Sequence, residues 1–390
     1  MSASTDARRL TTATQWLDRA AFLALRGHGG AEPNPMVGCI IVRKDGEVVG
    51  RGYHARDGQL HAEPIALKVA GKSAQGATAF VTLEPCSHHG RTPPCCDAII
   101  AYGISRLVYA VADPNPLAAG GADRLRAAGI VVEQIENTAC TNVSAPFLAR
   151  IRSARPWVIA KWAQTSDGRT ATRDQENRWI SGPRSRAMVH RERARVDAVM
   201  IGIGTLLADD PHLLPRISRA RRIPCRIIVD PQLATPIDAQ IIRTARDGPV
   251  SIAALPTAIQ ELSDERRSEF ANAGVTLLPL PTPASANVHQ CFRGLLRGSL
   301  AGFLRVLHSR QVSTVLVEGG AGLLGALFEE DLIDDAWCFT GPLASGDDSS
   351  TQISREKDQI QPMDPLRFRL LDRRLRGEDT MTLWRRTTHC

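Results

Sequence analysis

The sequence predicts an α/β protein built from two domains. Its 390 residues suit two or three domains of ordinary size. Helix-like and strand-like segments alternate through the first 135 residues, and a second alternation begins after a junction at residues 138–156. Such alternation indicates layered sheets with parallel strands. We therefore expect two α/β domains, over residues 1–149 and 150–390.

The first half opens with a predicted helix and a predicted hairpin. Asp45-Gly46 separates two apolar runs, which is a strong signal for a two-residue hairpin turn. Gly71 and Gly103 end two later helices, as glycine does at a helix C-terminus. The predicted helices cover residues 15–25, 62–70, 94–102 and 122–128, and the predicted strands cover 37–42, 47–53, 77–83, 106–112 and 130–135.

The second half repeats this alternation less evenly. Between residues 235 and 301 the pattern weakens, because prolines are frequent there and no period dominates. The predicted helices cover residues 183–195, 300–308 and 321–329, and the predicted strands cover 157–163, 198–203, 226–229, 314–317 and 336–340.

One turn of the second half is suited to a nucleotide, although the dinucleotide fingerprint is missing. No G-x-G-x-x-G stands at a strand-to-helix turn, so a Rossmann domain is disfavoured. Glu318-Gly319-Gly320 instead joins a predicted strand to a predicted helix. Glycines let the backbone approach a phosphate, and the helix N-terminus stabilises its charge. The alternative is that these glycines only form a tight connection.

Composition and charge exclude several classes of protein. Apolar residues make up 43% and charged residues 23% of the chain, as in globular proteins. The longest uncharged apolar stretch, residues 198–208, is too short to span a membrane, and no secretory signal precedes it, so we expect a cytoplasmic location. The net charge of +7 suits nucleic acid or small phosphorylated substrates. Six tryptophans, three tyrosines and nine phenylalanines are few for base stacking, which disfavours nucleic acid.

One histidine and two cysteines form a candidate zinc site. His61 and Glu63 open a predicted helix, and Cys86 and Cys95 each follow a proline. Zinc binds Cys sulfur and His nitrogen, and three protein ligands leave a fourth position for a water whose pKa falls to about 7. Glu63, two residues after the ligand His61, would move protons from that water to a leaving amine. The sequence predicts one zinc per chain.

The order of these residues is that of the zinc deaminases, H-x-E followed by P-C and a third cysteine. Here eight residues rather than two separate Cys86 from Cys95, which requires a loop. Cys96 competes with Cys95 as the third ligand, and an inert buried thiol is the alternative for each cysteine. We interpret His88 and His89 as loop or substrate contacts rather than ligands.

Five motifs of the first half stand in the order of one known family. They are PNPMVGC at 33–39, GYH at 52–54, HAE at 61–63, VTLEPCSHHGRTPPCC at 81–96 and DPNP at 113–116. The chain thereby resembles the bifunctional riboflavin-biosynthesis deaminase/reductases, whose own form of the deaminase motif has the long Cys-to-Cys loop. The resemblance implies a cytidine-deaminase-like, three-layer domain in which Asn34 and His54 line a pyrimidine pocket. The alternatives are a turn asparagine and a strand-end histidine.

Motifs of the second half continue the resemblance and imply a dihydrofolate-reductase-like α/β domain that uses NADPH. The matching positions are Lys161, 166–171, 179–180, 193–194, 197–198, Gly202, Thr205, 209–211 and 318–320. The implied cofactor contacts are Ala163, Trp179, Thr205, Asp209, Gly320, Ala321, Gly322 and Leu323. The implied substrate contacts are Asn177, Arg193, Leu213, Arg216 and Glu318.

The residue types suit these implied roles. Arg193 and Arg216 could hold a phosphate, since guanidinium binds phosphate through two hydrogen bonds; surface arginines are the alternative. Glu318 could accept a hydrogen bond from a pyrimidine amine, or cap the following helix. The sequence departs from the family at Asn177, where serine is frequent, and over residues 340–350.

The resemblance implies two consecutive reactions. The first half would use zinc to deaminate 2,5-diamino-6-(phosphoribosylamino)pyrimidin-4-one, and the second would use NADPH to give 5-amino-6-(phosphoribitylamino)uracil. We expect a homo-oligomer that acts on this small phosphorylated pyrimidine, with no membrane partner. The alternatives are a nucleic-acid base deaminase with a basic accessory domain, and a homologue active in the deaminase half only.

Overall fold

The chain divides into two units, Met1–Ala154 and Arg155–Cys390. The computed structural model describes residues 2–116, 118–170, 180–281, 296, 298–342 and 364–387, with the side chains from residue 12 onward. Both units are layered α/β structures, which confirms the predicted fold class. The predicted boundary after residue 149 falls inside the last helix of the first unit.

The first unit is built on one five-stranded sheet. Its helices are α1 (Ser2–Ala24), α2 (Ala62–Ala70), α3 (Cys95–Ala101), α4 (Gly121–Ala127) and α5 (Thr138–Ser153), and its strands are β1 (Gly38–Val42), β2 (Val48–Tyr53), β3 (Thr78–Leu83), β4 (Arg106–Val111) and β5 (Val131–Gln134). The strand order is β2-β1-β3-β4-β5. β1 is antiparallel to β2 and to β3, and the pairs β3–β4 and β4–β5 are parallel.

Helices cover both faces of this sheet because successive strand residues point to opposite sides. Cys39 and Ile41 pack with residues of α2, α3 and α4, whereas Ile40 and Val42 pack with residues of α1 and α5. All four side chains are buried. The sheet is therefore the middle of three layers, and its strand ends carry the loops that hold the candidate metal ligands.

The second unit is built on a nine-stranded sheet. Its helices are α6 (Pro183–Arg193), α7 (Ile203–Asp209), α8 (Gln240–Arg243), α9 (Pro256–Gln260), α10 (Asp264–Asn272), α11 (Ser299–Ser309) and α12 (Ala321–Glu329). Its strands are β6 (Trp157–Gln164), β7 (Ala198–Gly202), β8 (Cys225–Val229), β9 (Val250–Ala254), β10 (Val275–Pro279), β11 (Thr314–Glu318), β12 (Asp335–Thr340), β13 (Phe368–Arg376) and β14 (Asp379–Arg386). The order is β10-β9-β8-β7-β11-β6-β12-β14-β13, parallel from β10 to β12 and antiparallel beyond.

Parts of two regions without a clear sequence pattern form strands of this sheet. Residues 235–301 contain β9 and β10 with the short helices between them, and residues 368–386 form the hairpin β13–β14. The helix α10 buries a single large side chain, that of Phe270, so its sequence shows almost no apolar periodicity. The strand β13 lies at the sheet edge and is rich in arginine, which protects an edge from aggregation but hides the strand pattern. Within the described ranges, no helix is long and apolar enough to cross a membrane.

Candidate active sites

The candidate metal ligands of the first unit meet at helix starts and a strand end. His61 immediately precedes α2, Cys95 is the first residue of α3, and Cys86 follows β3. Their ligand atoms all lie within 4.8 Å of one another. His61 Nδ1 is 3.3 Å from Cys95 Sγ and 3.6 Å from Cys86 Sγ. One imidazole and two thiols at such distances fit the donor set that zinc prefers.

The two neighbouring cysteines 95 and 96 point in different directions. The Cys95 backbone N–H donates to Cys86 Sγ over 3.4 Å, so this cysteine closes the ligand cluster. Cys96 Sγ instead contacts the carbonyl oxygens of Pro85 at 3.7 Å and Gly121 at 3.5 Å. Hydrogen bonds from the Cys95 thiol and from His61 lower the pKa of Cys86, which favours the thiolate that binds metal. Burial raises the pKa of Cys96 to about 12.

Glu63 lies beside this cluster with its carboxyl group buried. It is 3% exposed in the first turn of α2, and its Oε2 has no hydrogen-bond partner among the described residues. Burial raises the pKa of Glu63 to about 7. A buried acceptor without a partner costs free energy, so its retention here is typical of a group that contacts a ligand. In the described part of the chain, the cluster of metal-ligand atoms contains neither His88 nor His89.

A close helix–strand approach places the start of α2. A Cβ atom at Gly52 of β2 would lie 2.1 Å from the Ala62 carbonyl oxygen, so only glycine lets α2 pack this near. His54, two residues later, is buried, and its ring meets that of His61 edge to face with centroids 5.3 Å apart. Gly52 therefore brings His61 and Glu63 of the same helix start to the strand end that carries His54.

The predicted pocket residues Asn34 and His54 are each held by one fixed hydrogen bond. Asn34 Nδ2 donates to Asp57 Oδ1 over 2.9 Å. His54 Nδ1 lies 3.1 Å from the Leu60 carbonyl oxygen, and its Nε2 has no partner in the described structure. Because a carbonyl can only accept, Nδ1 carries the proton and Nε2 is a free acceptor. Burial lowers the pKa of His54, which keeps the ring neutral.

In the second unit, the predicted substrate residues Arg193 and Glu318 form a buried ion pair. Arg193 Nε donates to Glu318 Oε1 over 2.5 Å, and its terminal nitrogen donates to Oε2 over 2.9 Å. Burial alone would raise the pKa of Glu318, but Arg193 and Lys161 outweigh it and hold that pKa below its usual value. The carboxylate thus stays ionised beside two cations.

Lys161 is among the positions that match the family, but the sequence assigned it no contact with substrate or cofactor. It lies on β6 directly opposite Glu318 on β11, and its Nζ is 5.9 Å from the ring centre of Phe339. Burial lowers the pKa of Lys161, and Glu318 opposes that shift. A lysine inside an otherwise apolar strand (WVIAKWAQ) was the available signal, because a buried ammonium needs a partner or a ligand.

The predicted cofactor turn is also assembled. The Gly320 N–H donates to Thr205 Oγ1 over 3.0 Å and α12 begins at Ala321, so the turn brings α7 beside the start of α12. A Cβ atom at Gly320 would lie 3.3 Å from that hydroxyl. A glycine turn opening a helix of nine residues fits a phosphate group, whose charge the free N–H groups stabilise. Ala163 lies near the end of β6, Asp209 ends α7, and Gly322 and Leu323 follow Ala321 in α12.

The remaining predicted substrate residues lie on the loop after α7. Leu213 is buried with a φ of 59°, and the exposed Arg216 donates its backbone N–H to His190 Nδ1 of α6 over 3.3 Å. Asn177 and Trp179 lie outside the described residues, so their predicted roles stay predictions.

Two family models match the chain, one in each unit. The cytidine and deoxycytidylate deaminase zinc-binding region matches residues 11–111, and the RibD C-terminal domain matches residues 156–382. The second match identifies the second unit as a RibD C-terminal domain, which argues against the alternative of a basic accessory domain.

Curated relatives match over nearly the whole chain. The riboflavin biosynthesis protein RibD of Actinobacillus pleuropneumoniae is 38% identical over 95% of this chain and 94% of its own. The RibD of Escherichia coli is 39% identical over 86% of this chain and 89% of its own.

Solved structures match equally broadly. Acinetobacter baumannii RibD superposes with a TM-score of 0.78 at 35% identity, covering 97% of this chain and 100% of that one. The diaminohydroxyphosphoribosylaminopyrimidine deaminase/5-amino-6-(5-phosphoribosylamino)uracil reductase of Thermotoga maritima gives a TM-score of 0.78 at 29% identity with the same coverage.

Proposed function

The chain belongs to the RibD family, the bifunctional deaminases and reductases of riboflavin biosynthesis, and we propose that each of its units performs one of the two reactions. The observation that carries this proposal is the cluster of His61, Cys86 and Cys95 beside Glu63, whose Oε2 has no partner among the described residues. We assign the deamination to residues 1–149 and the reduction to residues 150–390. The substrate is the diaminopyrimidine phosphate that the family resemblance implies.

In the deamination, Glu63 would move the protons. Zinc, when bound by His61, Cys86 and Cys95, lowers the pKa of a water so that hydroxide is available near neutral pH. Glu63 Oε2 takes a proton from the attacking water and delivers a proton to the amine, which leaves as ammonia. Burial supports this role, because it brings the pKa of Glu63 to about 7, where a carboxyl group both accepts and donates protons.

Substrate orientation in this unit would depend on Asn34 and His54. The Nδ2 of Asn34 donates one hydrogen bond to Asp57, which leaves its Oδ1 and its second N–H for the pyrimidine. His54 Nε2 is likewise left as an acceptor. Asn34 Oδ1 and His54 Nε2 are both acceptors, which suits a pyrimidine edge that carries N–H donors, as a diaminopyrimidine does.

In the reduction, the protein would supply alignment and charge. NADPH, when bound at the turn from Gly320 to Leu323, supplies the hydride. Arg193 and Glu318 form an ion pair with two hydrogen bonds. We propose that the pair binds the substrate as a unit, in which the remaining lone pairs of Glu318 accept from the pyrimidine amine. Arg216 would bind the phosphate with its exposed guanidinium group. The cation Lys161 supports this arrangement, because it keeps Glu318 ionised.

We further propose a cytoplasmic homo-oligomer. A reducing compartment supports the zinc site, because Cys86 and Cys95 bind metal as thiolates and cannot do so when joined in a disulfide. The exposed leucines Leu366, Leu370 and Leu375, on and beside the edge strand β13, support association. Size-exclusion chromatography with light scattering measures the oligomeric state.

The test of both activities is NADPH oxidation by the zinc-loaded full chain supplied only with the undeaminated pyrimidine. We expect ammonia release and substrate-dependent oxidation in that order, while the already deaminated pyrimidine gives oxidation without ammonia. Ammonia without oxidation on either substrate would refute the assignment of the second unit and favour a homologue active in deamination only. No reaction in protein that contains zinc would refute the substrate.

A further inference from the structure

Arg226 is a fully buried arginine that neither proposed reaction uses. It is the second residue of β8, with 0% of its surface exposed, and no carboxylate in the described part of the chain forms an ion pair with it. Burial lowers the pKa of Arg226 to about 10. The charge of Asp247 acts on Arg226 without forming an ion pair with it. A buried cation without a contacting carboxylate is costly, so the hydrogen bonds of Arg226 must offset that cost.

All four N–H groups on the two terminal nitrogens of Arg226 donate hydrogen bonds. Their acceptors lie on the loop after α7 and on the connection between α8 and β9. One terminal nitrogen donates to Thr244 Oγ1 over 2.8 Å and to the His212 carbonyl oxygen over 3.2 Å. The other donates to the carbonyl oxygens of Thr244 at 2.7 Å and Gly248 at 2.6 Å. The rigid, planar guanidinium group thus connects the loop after α7 to the chain between α8 and β9.

The carbonyl of His212 belongs to a strained turn. The Leu214 N–H donates to the same His212 oxygen over 2.9 Å, and Leu213 between them has a φ of 59°. A hydrogen bond from residue i+2 to residue i around a positive φ is a γ-turn of the rare, strained kind. Leucine is disfavoured in this conformation, which persists only where surrounding contacts impose it.

This turn precedes the predicted phosphate contact and is also held from the substrate side. The backbone N–H of Arg216 donates to His190 Nδ1, and His190 lies on α6 three residues before Arg193, which pairs with Glu318. Residues three apart on a helix share one face. Arg226 is therefore linked to the Arg193–Glu318 pair through the loop of residues 212–216 and one face of α6.

The sheet register places Arg226 on the same side as this pair. Arg226 on β8 is opposite Val199 on β7, and Val199 is opposite Leu316 on β11, two residues before Glu318. Residues two apart on a strand point to the same face, so Arg226 and Glu318 project from one face of the sheet.

We propose that Arg226 is a positioning residue of the reduction, which imposes the strained turn at Leu213 and so fixes Arg216 at the substrate phosphate. This inference rests on the proposed reductase function of the second unit. Lysine at this position offers a single nitrogen and cannot make the same four bonds, so the turn should relax and Arg216 should lose its fixed position.

The test compares the full-length variants R226K and T244V with the wild type, using NADPH and the already deaminated pyrimidine. For R226K we expect the KM for the pyrimidine to rise about 10- to 100-fold, because a misplacement of about 1 Å costs that much. The KM for NADPH and the rate of deamination should stay within about twofold, since neither depends on this loop. T244V removes only one acceptor of Arg226, so it perturbs the fold less than R226K does. We expect it to raise the pyrimidine KM by a smaller factor.

A second measurement and a matched control separate positioning from general destabilisation. Hydrogen exchange of the Leu214 amide should accelerate in R226K, because that amide closes the turn. R155K replaces another largely buried arginine, whose partner Asp334 precedes β12, and should leave the pyrimidine KM unchanged. An unchanged KM in folded R226K, or equal increases for pyrimidine and NADPH, would overturn the role of Arg226. A wild-type chain that does not oxidise NADPH would instead refute the proposed reduction, and this inference with it.

Discussion

The candidate sites of the two units differ in how far apart their residues lie along the chain. His61 and Cys95, which meet in the first unit, are 34 residues apart. Arg193 and Glu318, which meet in the second, are 125 residues apart. Metal ligands must belong to a few residue types and must point toward one ion, so a short sequence motif can specify a metal site. Cofactor-dependent reduction needs alignment and charge, which residues from many elements can supply.

The two sites also differ in how their charges are balanced. In the first unit Glu63 is buried and its Oε2 has no hydrogen-bond partner among the described residues, so that oxygen is available to exchange protons. In the second unit Glu318 is buried but held by two hydrogen bonds from Arg193. A buried acid with one oxygen left free suits proton transfer, whereas an acid paired with a cation through both oxygens is fixed in charge and suits recognition. The following changes test this contrast.

The largest effect is expected for Glu63→Gln. The amide keeps the shape of the side chain but cannot take a proton, so ammonia release should fall by about 100- to 10,000-fold. Reduction of the already deaminated pyrimidine should continue at the wild-type rate. Ammonia release and NADPH oxidation are measured separately, with the exposed Glu47→Gln as control. Loss of both activities in folded protein would contradict separate sites.

The neighbouring cysteines provide a matched pair. Cys95→Ser should lose its zinc, because the Cys95 thiol closes the cluster with His61 and Cys86. Cys96→Ser should keep one zinc per chain, because Cys96 Sγ contacts two backbone carbonyls instead. Elemental analysis of the purified variants gives the zinc content. Equal zinc loss in both variants would show that the ligand assignment is wrong.

In the second unit, Glu318→Gln should reduce kcat/KM for NADPH-dependent reduction by about 10- to 100-fold. It leaves Arg193 and Lys161 as partly buried cations without their carboxylate, which disturbs the site and removes an acceptor. Ammonia release from the undeaminated pyrimidine should not change. A variant with unaltered reduction would show that the Arg193–Glu318 pair is structural only.

The smallest effect is a pH dependence of substrate binding in the second unit. Burial, then Arg193 and Arg216, lower the pKa of His190 below its ordinary value of 6.5, while Glu318 and a hydrogen bond to the Leu214 backbone oppose them. The folded state therefore favours the neutral ring, which accepts the Arg216 N–H, and protonation in acid favours loss of that bond.

The KM for the deaminated pyrimidine should accordingly stay constant above pH 6.5 and rise by a few fold, about two to five, as the pH falls below that value. H190N supplies an amide oxygen as acceptor and should flatten the profile. A profile that H190N leaves unchanged would exclude His190 as its source.

The sequence alone predicted the layered α/β architecture and the residues of the candidate zinc site. Alternating patterns, turn dipeptides and glycine C-caps are local, so the elements predicted between residues 37 and 135 are close to those observed. The first helix was predicted from residue 15, whereas it begins at Ser2. Residues 235–301 were harder, because α10 buries only Phe270 and the patterning that reveals a helix depends on a buried face. The edge strand β13 escaped for a similar reason, since its arginines replace the alternation of a half-buried strand.

The resemblance to the family could also be recognised from the sequence, because it depends on the order of ligand types within residues 61–96. Coordination chemistry restricts those residue types, so the motif is visible without a structure. Tertiary structure decided what local sequence could not. It separated Cys95 from Cys96 by the direction in which each side chain leaves the first turn of α3. It paired Arg193 with Glu318 and placed Lys161 beside them through the strand order of a sheet. It also made Arg226 the support of a turn fourteen residues away. Such pairings depend on which distant strands become neighbours, and no local pattern encodes that.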